Sequence, residues 1–179
     1  MVIIAALVYY YFFGSMLLKP TTQYIYIDND DTVDSVCNKL AEISKPSSMT
    51  GFRTLVRHTS YSEDIHTGRY EITKSNGPVA VFHKLKSGLQ APVSLTVPSV
   101  RTLDKLANAV SKKMMFSSKE LLDSITDISV CRKYGYTPET ISCMFIPNTY
   151  DLYWNMPIGK FLDKMNSESK KFWSFERKN

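Results

Sequence analysis

The N-terminus of this chain is a continuous apolar segment without charge. Residues 2–18 contain no acidic or basic side chain, and the segment ends at Lys19 and Pro20. A helix that spans a bilayer usually needs about 20 apolar residues, and this segment is only slightly shorter. We therefore predict a transmembrane anchor over residues 1–20, with Tyr9, Tyr10 and Tyr11 either at the membrane interface or packed against protein.

A cleaved secretory signal peptide is the competing interpretation of the same segment. Such a peptide begins with basic residues and ends at a small-residue cleavage site. Here Met1 is followed by a valine, and no Ala-x-Ala sequence precedes Lys19. These two features favour an uncleaved anchor.

The rest of the composition is that of a small globular protein. A chain of 179 residues is long enough for one or two modest domains. Its net charge of +5 would suit an acidic polymer or a membrane surface, but the basic residues are scattered along the sequence. Nucleic-acid binding needs lysines and arginines gathered on one face, so we predict no nucleic-acid partner.

The cysteines and histidines do not form a metal-binding pattern. No pair of cysteines has C-x-x-C spacing, and the histidines are isolated from one another; the six residues are Cys37, Cys131, Cys143, His58, His66 and His83. We therefore predict no metal site, no disulfide framework and no cofactor.

Residues 21–90 have the pattern of a small mixed module. A strand is predicted over residues 24–27, and apolar residues then recur at helical spacing from Val33 to Leu40, behind a capping Asp31 or Thr32. A strand over residues 68–72 lies between two further predicted helices, over residues 50–58 and 78–86.

Residues 91–179 form the second predicted unit. Val93, Leu95 and Val97 alternate with polar residues as in a half-buried strand, and an amphipathic helix follows. Ser117 and Glu120 have the spacing of a capping box at the start of another helix. Residues 158–173 are amphipathic and end in an apolar Phe-Trp pair. The predicted fold class is α+β.

The segment over residues 144–150, Met-Phe-Ile-Pro-Asn-Thr-Tyr, is the most distinctive motif. Local rules predict an apolar strand that Pro147 ends, followed by an Asn-Thr turn, because proline cannot donate to a sheet. The motif also resembles the E-G-x-x-F-P-D-T-Y signature of the MltG (YceG-like) endolytic murein transglycosylases. In that comparison, Ser142 occupies the position of the signature's catalytic glutamate and Cys143 that of its glycine. Ser99 lies where the family usually has the glutamate of a Pro-Glu-Gly sequence.

The resemblance implies non-hydrolytic cleavage of the β-1,4 bond between N-acetylmuramic acid and N-acetylglucosamine, which leaves a 1,6-anhydro end. One carboxylic acid can protonate the leaving oxygen and accept the proton of the attacking C6 hydroxyl. A serine hydroxyl is too weak an acid, so Glu139 is the candidate catalytic residue, with a helix-start role as the alternative. Asp151 is expected to be a solvated turn carboxylate.

The resemblance also implies partners and location. Asn148, Thr149, Tyr150 and Trp154 are candidate sugar-binding residues, although the aromatic rings could equally cover a sheet edge. The first unit resembles the family's LysM-like module, which binds aminosugar chains. Peptidoglycan strands and cell-wall synthesis proteins are the implied partners, on the periplasmic side of the bacterial inner membrane.

Family members continue for a comparable length, so the chain resembles their N-terminal half. The rival hypothesis is a non-catalytic envelope protein that binds glycan. The two are distinguished by whether a carboxylate lies in a cleft beside Asn148 and Tyr150.

Overall fold

The protein divides into two compact units, Met1–Ala91 and Pro92–Asn179. The computed structural model describes residues 2–59 and 65–176. Each unit contains its own two-stranded antiparallel sheet, and the two sheets are separate. The sequence prediction set its boundary at residues 90 and 91, and it treated residues 1–20 as a distinct segment.

Unit 1 contains a two-stranded sheet and four helices among its described residues. Strand β1 pairs antiparallel with β2, so that Gln23 lies opposite Ile72 and Ile27 opposite Gly68. The elements in chain order are α1 (Val2–Phe12), β1 (Gln23–Ile27), α2 (Val33–Ile43), α3 (Pro46–Arg57), β2 (Gly68–Ile72) and α4 (Pro78–Lys86). The two strands therefore enclose a pair of helices in sequence.

Local sequence signals explain these elements. Helix α2 begins at a capping box, in which the Thr32 side chain accepts from the Ser35 N–H and the Ser35 hydroxyl oxygen accepts from the Thr32 N–H. This confirms the helix predicted from the apolar spacing. Helix α4 begins with Pro78 and ends before Gly88, whose φ of 63° is readily adopted only by glycine.

Tyr70 is the largest fully buried side chain in the core of unit 1. Its ring is completely buried, and its hydroxyl donates to the carbonyl oxygen of His66 at 2.8 Å. Burial raises the pKa of Tyr70 to about 12. The apolar side chains around it come from both strands and three helices: Ile25, Ile27, Val36, Leu40, Phe52, Ile72, Val81 and Leu85.

The N-terminal segment enters this core, and the structure does not support the transmembrane helix predicted over residues 1–20. Helix α1 ends at Phe12, and Met16 and Leu17 are buried. The Met16 N–H donates to the carbonyl oxygen of Asn76 at 3.0 Å, and Leu17 forms a β-bridge with Ser44. Buried backbone groups need such partners, which a continued helix would have replaced. Within residues 2–59 and 65–176, every helix is too short or too polar to cross a bilayer.

Unit 2 repeats the scheme of two strands that enclose helices. Strand β3 pairs antiparallel with β4, so that Val93 lies opposite Leu152 and Leu95 opposite Tyr150. Its elements are β3 (Val93–Val97), α5 (Leu103–Ser111), α6 (Ser118–Thr126), α7 (Ile128–Tyr134), a short 3-10 helix (Ile141–Met144), β4 (Asn148–Leu152) and α8 (Ile158–Glu176).

The signature segment differs from the predicted apolar strand before Pro147. The residues before Pro147 include the short 3-10 helix, and the strand begins only at Asn148. Pro147 therefore precedes the strand instead of ending it, because a proline without an N–H is tolerated at a strand entrance. The burial alternation then continues through Tyr150 and Leu152, which face the core.

The helices of unit 2 follow their sequence signals. The predicted capping box of α6 is confirmed, since the Ser117 N–H donates to the Glu120 carboxylate at 2.7 Å. Helix α8 buries Phe161, Leu162 and Met165 against the core. Its last described turn is different, because Trp173 is 52% exposed.

Close packing of the N-terminal segment gives a stability prediction. A Cβ atom at Gly51 in α3 would lie 2.2 Å from the backbone oxygen of Tyr11 in α1, a distance that no real contact allows. Gly51→Ala should therefore displace α1 and lower the unfolding free energy of the chain by about 1–3 kcal/mol, as overpacking does. Gly159→Ala is the control, because nothing lies within 4 Å of its Cβ position.

Both variants are compared by thermal unfolding and by the rate of limited proteolysis near residue 14. The docked position of α1 would be contradicted if the two substitutions had the same effect on both measurements.

Candidate functional site

A groove opens in unit 2 where the loop after β3 meets the segment before β4. Its volume is about 270 Å³. The described residues that line it are Pro98, Ser99, Val100, Thr102, Leu103, Leu106, Ser142, Cys143, Phe145, Ile146, Pro147 and Trp173. The first six come from the loop after β3 and from the start of α5, and the next five from the segment that enters β4.

The two walls of the groove are fixed by different local interactions. On the β3 side, the Thr102 hydroxyl caps α5 by accepting from the Lys105 N–H at 3.4 Å. On the β4 side, the buried Tyr150 donates its hydroxyl to the carbonyl oxygen of Ile146 at 2.8 Å. Phe145 is buried, and its ring centroid lies 6.1 Å from that of Phe161 in α8. The wall before β4 is therefore tied to the core on both sides.

The chemical character of the groove is uncharged and amphipathic. None of the described lining residues is acidic or basic. The polar groups are the hydroxyls of Ser99, Thr102 and Ser142 and the exposed thiol of Cys143. The remaining lining is apolar. Trp173 is the one tryptophan among the described residues that line the groove. Such a lining suits a neutral ligand with both apolar and hydroxyl surfaces.

Glu139 lies outside this lining and has the wrong electrostatics for a general acid. Its side chain is exposed, and a hydrogen bond from the Thr137 hydroxyl, with one from the backbone, lowers the pKa of its carboxyl group. A general acid near neutral pH needs a raised pKa, so that it still holds its proton. The Glu139 carboxyl is ionised under those conditions.

The four predicted sugar-binding residues are not brought together in the groove. The exposed Asn148 accepts the Thr149 N–H at 2.8 Å through its side-chain oxygen. The Thr149 hydroxyl lies 2.9 Å from that of Thr96 on the exposed face of the sheet. Tyr150 is in the core, and half-buried Trp154 accepts the Met115 N–H through its carbonyl oxygen at 2.9 Å.

Trp173 is the tryptophan that does line the groove, and the sequence placed it only at the end of an amphipathic helix. Little in the sequence indicated a binding role for Trp173, because it lies eight residues beyond Met165, the last buried apolar residue of that helix face. Asp151 lies on the exposed face of the sheet, where its carboxylate accepts from the Ser94 hydroxyl at 2.7 Å. Across residues 2–59 and 65–176, no three His, Cys, Asp or Glu side chains are placed to share a metal ion.

Comparison with known proteins now identifies the family. The profile of the YceG-like family matches residues 25–179. The chain belongs to the YceG-like family. A crystal structure of a yceG-like protein from Listeria monocytogenes is similar over 88% of this chain, at 16% identity and a TM-score of 0.42, and the chain spans 57% of that protein's length. No curated protein matches the chain.

Membership of the YceG-like family confirms the resemblance drawn from the signature, because the MltG and YceG families are the same. It also relates the groove to the two departures from the family pattern. Ser142 and Ser99, which occupy the two glutamate positions in that comparison, both line the groove. Two positions where the resemblance expects carboxylates thus carry only hydroxyls here.

The position of Tyr150 gives a prediction that separates a structural role from a binding role. Tyr150→Phe keeps the buried ring but removes the hydrogen bond to Ile146 and leaves that carbonyl without its donor. The unfolding free energy should fall by about 1 kcal/mol, the usual worth of such a bond. Tyr153→Phe is the control, because Tyr153 is 52% exposed. Chemical denaturation of both variants would contradict this role for Tyr150 if it left their stabilities equal.

Proposed function

We propose that the chain acts in peptidoglycan strand cleavage as the glycan-docking part of a lytic transglycosylase, and that its described residues do not supply the catalytic acid. The observation that carries this proposal is the uncharged groove around Ser142, at the signature of the family. The substrate is a glycan of alternating N-acetylmuramic acid and N-acetylglucosamine.

The proposed reaction sets strict demands on an acid. A carboxylic acid protonates the glycosidic oxygen as the C1–O bond breaks, and the same group accepts the proton of the C6 hydroxyl that attacks C1. The acid must be desolvated in an apolar site to remain protonated near neutral pH. Glu139 is solvated with a lowered pKa, and Asp151 lies outside the groove lining, so neither meets these demands.

Unit 1 supports the same proposal through its topology. Two antiparallel strands that enclose two helices are compatible with a LysM-like module, which would position the glycan strand. The substrate would put both units on the periplasmic side of the bacterial inner membrane, near cell-wall synthesis proteins. Attachment to the membrane through the N-terminal residues stays a prediction.

A second candidate function is a non-catalytic envelope protein that binds peptidoglycan. It is favoured by the same lack of charge among the described groove residues, since binding a neutral glycan needs no carboxylate. The two candidates differ only in whether a carboxylic acid other than the described groove residues completes the groove. They share the prediction that the chain alone binds glycan and cleaves little or none of it.

Incubation with intact peptidoglycan tests the proposal. The chain should co-sediment with the sacculi and release little or no 1,6-anhydro product by mass spectrometry, because loss of a positioned acid costs about 10²- to 10⁴-fold in rate. Glu139→Gln should change neither result. Glu42→Gln is the matched control, because it removes a likewise exposed carboxyl that lies in unit 1, whereas Glu139 lies in unit 2. Ser142→Glu places a carboxyl inside the groove and tests whether an acid is the missing component.

Two results would contradict the proposal. A chain that fails to co-sediment with sacculi would not be a glycan-docking protein. Strong 1,6-anhydro release that Glu139→Gln abolishes and Glu42→Gln preserves would identify Glu139 as the acid. The Ser142→Glu variant then separates the two candidate functions, since only a groove arranged for strand cleavage would gain 1,6-anhydro release from an added carboxyl.

A further inference from the structure

The exposed indole of Trp173 is the least explained feature of the groove. Tryptophan is highly buried on average in folded proteins, yet Trp173 is 52% exposed. The helix that carries it, α8, is anchored in the core by the buried Phe161, Leu162 and Met165. Phe172 meets the Trp173 ring edge-on, with ring centroids 5.3 Å apart and planes at 85°. The groove therefore has a flat aromatic surface on a helix that is anchored in the core of unit 2.

The other groove residues complement that surface. Pro98, Val100 and Pro147 supply apolar walls, whereas Ser99, Thr102 and Ser142 supply hydroxyl groups. A pyranose ring has the same division, with C–H groups on its faces and hydroxyls around its edge. Aromatic rings pack against such faces, and hydroxyls bond the edge groups.

Charge and size narrow the occupant further. The chain carries a net charge of +5, but none of the described groove residues is charged, so an anionic ligand would find no cationic side chain among them. This disfavours the carboxylates of a stem peptide and favours an uncharged ring. The volume of about 270 Å³ is at the small end of ligand pockets, which suits a single saccharide unit.

We propose that Trp173 is the stacking platform for one N-acetylglucosamine ring of the glycan, with the acetamido methyl against the apolar walls. This inference rests on the proposed function and specifies the ring and the residue that hold it. Trp173 is a binding residue, and it takes no part in proton transfer.

The two tryptophans of the chain allow a direct optical test. Because Trp154 and Trp173 are the only indoles, Trp154→Phe leaves Trp173 as the single tryptophan fluorophore, and Trp173→Phe leaves Trp154. Titration with an N-acetylglucosamine tetramer should give saturable quenching in Trp154→Phe and none in Trp173→Phe. The glucose tetramer, which lacks the acetamido group, should bind Trp154→Phe at least about tenfold more weakly.

Calorimetric measurement of tetramer affinity, together with thermal unfolding, distinguishes the loss of the stacking ring from a loss of the fold. Trp173→Ala should weaken tetramer binding by about tenfold or more, as the loss of an aromatic stacking partner does for nucleic-acid bases. Tyr153→Ala is the matched control, since Tyr153 is 52% exposed in the same unit, as Trp173 is, but is not among the groove residues. Its affinity should equal that of the unmodified chain. Circular dichroism melting of each variant verifies that the fold is retained.

The outcomes distinguish this inference from the function on which it rests. If Val100→Glu abolishes tetramer binding but Trp173→Ala does not, the groove binds glycan and the platform is refuted. Equal affinity for the two tetramers would refute the N-acetylglucosamine assignment. If the unmodified chain binds neither tetramer nor sacculi, both the inference and the proposed function fail.

Discussion

The groove depends on one hydrogen bond in the core of unit 2. The Tyr150 hydroxyl donates to the Ile146 carbonyl oxygen at 2.8 Å and so fixes the backbone that approaches β4. A buried tyrosine needs a partner for its hydroxyl, so the ring and its bond are placed together. Because Phe145 is also packed against Phe161, the residues from Ser142 to Pro147 form a wall whose position is set from inside the unit.

The two units share one arrangement of strands and a tyrosine hydrogen bond, but their loops differ in charge. In each, the first and last strands pair antiparallel, and a tyrosine in the second strand donates to a carbonyl four residues earlier; in unit 1 Tyr70 donates to His66. The loop after the first strand differs. In unit 1 it is acidic, with Asp28 and Asp31 both bound by Lys39. In unit 2 the corresponding loop is uncharged at its groove residues, and this difference is what supports the proposed binding of a neutral glycan there.

Much of the fold could be predicted from local signals, whereas the site could not. The capping box at Ser117 and the alternation from Val93 are confirmed, because adjacent residues decide both features. The segment before Pro147 was misassigned, since an apolar run fits a strand and a buried turn equally well. Trp154 was predicted as a binding residue because it lies close to the signature in sequence. Trp173 lies in the groove instead, since residues that are distant in sequence can be close in space. Only tertiary packing brings the end of α8 to the groove.

The proposed function assigns glycan binding, and no catalytic acid, to the described groove residues of this YceG-like chain. In that proposal an N-acetylglucosamine ring docks beside Ser142. Amide chemical-shift mapping of the full chain with an N-acetylglucosamine tetramer is the simplest test of this docking. We expect saturable shifts centred on Ser99, Val100, Ser142 and Cys143. Shifts centred instead on the exposed sheet face at Thr149, or no saturable shifts at all, would contradict it.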